Sequence, residues 1–218
     1  VGLTFENCVF SGCADDNMAS VERTKDLTVR GCEFSFAAMT AMSISGPNNI
    51  GRYYLDTGVR IDNNLFTRTS LVKGNSGAIS IGRTSDTQIT HNEFRLCYWE
   101  GVDYRGASNM VAEYNVFDRV CYNGDDTGAL QGFRNSECSG NVTRYNLFMN
   151  IRGGTNGRYG LYLDGTSGMT VDSNIFYNCA CPVMNNGNSK MNNIVNNVFI
   201  SKDGDVMECV VHNEGTPL

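Results

Sequence analysis

Much that would narrow a function is missing from this sequence. Only three prolines occur in 218 residues, so its turns rest on Gly, Asn, Ser and Thr. Two histidines are too few for a His-built metal centre, and Cys179 and Cys181 stand too close together for zinc-ribbon spacing. Positive charge is in deficit. Seventeen Lys and Arg against 23 Asp and Glu give a net charge of −6, which disfavours a phosphate-tracking surface and makes nucleic acid a poor partner. No apolar run is long enough to cross a membrane. No signal peptide is visible, so the chain reads as mature or trimmed. There is no helix-period stretch, and the leucine spacing of a leucine-rich repeat is absent.

What is present is one phrase, repeated eight times: an apolar or β-branched run, then Asn or Cys, one residue, and Phe. The Phe falls at 10, 34, 66, 94, 117, 148, 176 and 199, and two residues earlier stand Cys8, Cys32, Asn64, Asn92, Asn115, Asn146, Asn174 and Asn197. A phrase recurring every 23 to 32 residues marks a solenoid. Within it apolar residues alternate with polar ones, as at Val29, Ile61, Ile89, Val171 and Ile194, which predicts a strand with one face inside. Short strands, each stacked on its copy about 4.8 Å away, make a parallel β-helix. Its Asn side chains would form a hydrogen-bonded ladder and supply the left-handed backbone of a tight corner. The Phe rings would stack inside as a second column. A second strand phrase ending in Ser recurs at 77–85, 101–108, 128–136, 160–167 and 183–189. The expectation is therefore an all-β domain spanning 1–218, of about eight coils and at least two sheets.

Aligning the second phrases on their Ser gives two outward columns. One holds Ser80, Asp103, Gln131, Tyr162 and Met184; the next holds Gly82, Arg105, Phe133, Asp164 and Asn186. The middle coils thus present a patch of mixed charge and aromatics, where a site is expected. Glu100 pairs on paper with Asp126 on the following coil, and Tyr98 and Trp99 beside it offer a flat face for a sugar ring. Arg158 adds a cation nearby. His91 lies in a turn column otherwise held by Asn, Gly, Tyr and Ser, and reads as structural. Asp15 and Asp16 read as a solvated loop, and Tyr53 and Tyr54 as part of a wall beside the solenoid.

Nine cysteines are many for a cytosolic protein. Cys8 and Cys32, and likewise Cys97 and Cys121, take matching places on successive coils. Disulfides in an extracellular or periplasmic protein are favoured over buried thiols. The sequon Asn141-Val142-Thr143 supplies a glycosylation acceptor in such a compartment.

Residues 126–131 read Asp-Thr-Gly-Ala-Leu-Gln; 145–148 read Tyr-Asn-Leu-Phe; 162–167 read Tyr-Leu-Asp-Gly-Thr-Ser; and 174–178 read Asn-Ile-Phe-Tyr-Asn. In this order the motifs resemble those of the secreted right-handed parallel β-helix proteins of the pectate-lyase-like superfamily, above all its glycoside hydrolases. The resemblance covers roughly 87–200. It implies cleavage of a polysaccharide, with Asp126 and Asp164 as catalytic carboxylates and no cofactor. On an ideal straight strand, at about 3.3 Å per residue, those two carboxylates would stand over ~15 Å apart unless a bulge brought them together. A lyase is the second enzymatic reading, with Arg105 or Arg158 as base and Ca²⁺ neutralising a uronate. The non-enzymatic alternative is an extracellular structural subunit whose uncapped ends join head to tail into filaments.

Overall fold

The computed structural model describes residues 2–14, 18–46, 56–72, 74, 76–134, 139–155, 157–187, 189–202 and 210–211. Asp15, Asp16, Tyr53 and Tyr54 lie outside them. The chain winds into a parallel β-helix of eight coils, with three eight-stranded, all-parallel sheets running along the solenoid.

The repeated phrase is two strands rather than one. Each coil of the first sheet ends at a left-handed residue, and the second sheet begins two residues later. The left-handed residues form a column: Asn7, Gly31, Asn63, His91, Tyr114, Tyr145, Ser173 and Asn196, with φ between 53° and 62°. The ladder Asn is the next residue, so the corner's strain is carried by its neighbour and the ladder amide is free to turn inward. A period-two pattern runs unbroken through a two-residue corner, which is why alternation alone merged the strands. His91 belongs to this corner column, as the sequence suggested.

Register then follows from the phrase. Phe94 pairs with Phe66 and Phe117, and Phe148 with Phe117 and Phe176. Their rings stack parallel, with centroids 4.7 to 5.3 Å apart from Phe10 to Phe199. Beside them the Asn amides are wholly engaged. In Asn115, Nδ2 donates to Asn146 Oδ1 at 3.0 Å and to Ile89 O at 2.8 Å, while Oδ1 accepts from the Asn92 backbone N at 2.9 Å. The ladder begins in sulfur: the Cys8 amide donates to Cys32 Sγ at 3.4 Å, and the Cys32 amide to Asn64 Oδ1.

Those two thiols are free, as are Cys97 and Cys121. The disulfides favoured by the spacing are not formed. The second pair is buried and held apart, with Cys97 Sγ directed at carbonyls of its own and the preceding coil and Cys121 Sγ at Thr127 Oγ1. Burial pushes the Cys97 thiol up to about 11 and that of Cys121 well above its usual range, so both pack as small apolar groups. The sequon fails for the same reason of burial. Asn141 is fully enclosed, its Nδ2 donating to Ala107 O and its Oδ1 accepting from the Met110 amide, so the folded chain has no room for a glycan there. Among the described residues no helix is long and apolar enough to cross a membrane.

Candidate active site

The third sheet carries the second phrase on its longest strands, Thr127–Phe133, Arg158–Asp164 and Cys181–Asn186. Its register places Ser80 beside Asp103, Asp103 beside Gln131, Gln131 beside Tyr162, and Tyr162 beside Met184. Asp164 pairs with Phe133 and with Asn186. The two outward columns read from the sequence are therefore physical rows on one sheet face.

Asp126 reaches this face through a bend. Asp126 is left-handed, with φ 53°, and two residues on, a Cβ at Gly128 would stand 2.6 Å from Tyr162 Cβ on the next coil. Only glycine allows so close an approach. Gln131 fixes the bend by accepting the Gly128 amide at 3.0 Å on its own side-chain oxygen. Tyr162 spans the remaining distance. Its hydroxyl donates to Asp126 Oδ1 at 3.0 Å and accepts from Asn186 Nδ2 at 3.1 Å, and the same Nδ2 stands 3.3 Å from Asp164 Oδ1. Laid end to end, these contacts bring the two carboxylates within about 9.4 Å of each other. The longer separation expected for a straight strand is thus corrected: the bend at Gly128 and the length of the tyrosine side chain close it. Burial, then the charge of Asp164, pushes the Tyr162 phenol well above its usual range, so it remains a proton donor.

The other residues expected at the site divide. Glu100 and Asp103 are buried, and each keeps one oxygen, Oε2 and Oδ1, without a hydrogen-bond partner. Asp103 Oδ2 faces Ser80 Oγ at 3.5 Å and Arg105 Nε at 3.7 Å. The charge of Asp103 acts on Glu100, and Thr127, next to Asp126, hydrogen-bonds it. Arg105 stacks over Phe133 at 4.6 Å, and Arg134 lies over the same ring at 4.9 Å. Trp99 is half-buried against the coils on either side. A Cβ on Gly74 or Gly124, one coil to either side, would stand 2.9 or 3.1 Å from its ring. Tyr98 stacks on Tyr122 at 5.7 Å. Arg158 is a brace, donating to Gly124 O at 2.7 Å and Arg152 O at 3.1 Å, which removes it as a base for elimination. Asn186 and Thr127 were given no role from the sequence. Asn186 stood in the aligned column and could have been found there; nothing in the pattern marked Thr127.

Among the described residues no three His, Cys, Asp or Glu side chains cluster as a metal would require. Two open grooves lie at the corner between the first two sheets, both lined by Asn7, Gly31, Asn63 and His91. A family model described as "Right handed beta helix region" matches residues 37–199, well over half of the chain. Neither the curated proteins nor the solved structures yield a match.

Proposed function

The chain belongs to the right-handed β-helix family, and from that premise we propose that the outer face of its third sheet cleaves a polysaccharide by hydrolysis, with Asp126 and Asp164 as the paired carboxylates. The observation that carries the reading is the chain of contacts from Asp126 through Tyr162 and Asn186 to Asp164. It joins two carboxylates from different coils at a separation compatible with the roughly 6.5–9.5 Å of inverting glycosidases, which leaves room for a water. One of the two carboxylates activates this water as general base while the other protonates the leaving oxygen; Asp126 accepts the Tyr162 hydroxyl hydrogen bond and Asp164 faces the Asn186 amide. A polymeric substrate would place the protein outside the cytoplasm.

The test is a polysaccharide panel with mass analysis of the products, followed by Asp126→Asn and Asp164→Asn on any substrate found. Each substitution should lower turnover at least ~100-fold while leaving the circular dichroism unchanged. Full activity in either variant removes that residue from the mechanism.

A further inference from the structure

Glu100 is almost fully buried, yet one of its oxygens has no partner. The Thr127 hydroxyl and the Trp99 side chain hydrogen-bond its carboxyl, leaving Oε2 orphaned. An ionised carboxylate so placed would be costly, because burial strips its water and the nearest charge is a second carboxylate, Asp103. Arg105, the cation on this strand, already faces Asp103 at 3.7 Å and is half exposed. One guanidinium for two buried acids leaves one of them to be neutralised by a proton.

The residues around Glu100 connect it to the candidate site. Thr127 is wholly buried and follows Asp126 directly. Trp99 is held between Gly74 and Gly124, and a Cβ on Gly124 would also stand 2.6 Å from Thr127 Cγ2. Glu100, Trp99, Gly124 and Thr127 are thus one packed unit, and the Asp126–Tyr162 contact begins at its edge.

We propose that Glu100 is a neutral carboxylic acid in the folded chain and a positioning residue: it holds Trp99 and Thr127, and through Thr127 the Asp126 carboxylate, in the arrangement seen. This replaces the catalytic role that its pairing with Asp126 suggested in the sequence, since its carboxyl is almost fully buried. The significance for catalysis rests on the hydrolytic reading above; the protonation state does not.

The titratable and charged groups around Glu100 are Asp103, Arg105, Cys97, Cys121 and Arg158. Asp103 and Arg105 lie on the strand that follows it, and burial raises Asp103 while Arg105 draws it back down. Cys121 lies on the next coil, and burial lifts that thiol well above its usual range, as it lifts Cys97 to about 11. Burial, then Asp103, raises Glu100 itself to about 8.

The chain has a single tryptophan, so intrinsic tryptophan fluorescence reports on Trp99 alone. Titrated from pH 6 to 10, the emission should change in one step with a midpoint near 8. Glu100→Gln, which keeps the carbonyl acceptor for Thr127 and Trp99, should abolish that step. No step in the native protein, or the same step in the variant, overturns the proposal. If a substrate is found, the alkaline limb of its pH–rate profile should share the midpoint and shift in Glu100→Gln. A fluorescence step without any hydrolysis leaves the positioning unit standing and refutes only the catalytic reading.

Discussion

Truncating one rung of the Asn ladder tests whether the amides, rather than the Phe stack alone, hold the coils together. Asn146 is almost wholly buried and makes five side-chain hydrogen bonds. Nδ2 donates to Ala112 O, Thr143 Oγ1 and Asn174 Oδ1 at 2.9 to 3.0 Å, and Oδ1 accepts from the Asn115 backbone N and Nδ2 at 2.9 and 3.0 Å. In Asn146→Ala some partners keep another contact: Asn115 Nδ2 still reaches Ile89 O, and Asn174 Oδ1 still accepts the Asn146 amide. The Asn115 backbone N and Ala112 O lose their side-chain partner where water does not reach. Each buried group so stranded costs roughly 1–3 kcal/mol, so the loss should be about 4 kcal/mol. Asn197 occupies the same column on the last described coil and makes comparable bonds, but it is only half buried, and water can replace much of what is lost. Asn197→Ala should therefore cost less than half as much. Urea unfolding followed by far-ultraviolet circular dichroism measures both. A loss below ~1 kcal/mol for Asn146→Ala, or equal losses at the two positions, would refute the ladder argument.

Three further outcomes are expected. Glu100 is raised from 4.5 to about 8, so its contribution is fully present below pH 4.5 and lost as pH rises through 8. At ~1.4 kcal/mol per unit the loss is at most about 5 kcal/mol, and Glu100→Gln should flatten unfolding free energy between pH 6 and 9 in urea titrations. A Cβ on Gly132 would lie 2.5 Å from both Tyr104 Oη and Thr166 Oγ1 in the closed interior. Gly132→Ala should thus cost ~1–3 kcal/mol in thermal melts, with recovery when Tyr104 is shortened to Leu. Cys97 and Cys121 should resist iodoacetamide at pH 8 in the folded protein and react on unfolding, while the less buried Cys8 reacts first; peptide mapping reads this directly.

The repeat made the fold legible. Eight Phe and eight Asn or Cys at fixed spacing specified parallel stacking, because a column of identical side chains is satisfied only when each coil lies in register on the last. The same alignment put Asp103, Gln131, Tyr162 and Asp164 on one face. The corner was not legible, since alternation runs through a left-handed residue without a break, and the second sheet was hidden in the phrase that seemed to be one strand. Disulfides were favoured because spacing gives proximity along the axis but not the direction of Sγ. The site turned on facts no linear pattern holds: that Gly128 bends the strand toward Tyr162, that Trp99 packs against two glycines of neighbouring coils, and that Glu100 shares burial with Asp103. Periodicity is a property of the chain and fixed the scaffold. Distance, burial and protonation at the outer face arise where the bend at 126–128 and the surrounding loops close over the third sheet, and only the tertiary structure decided them.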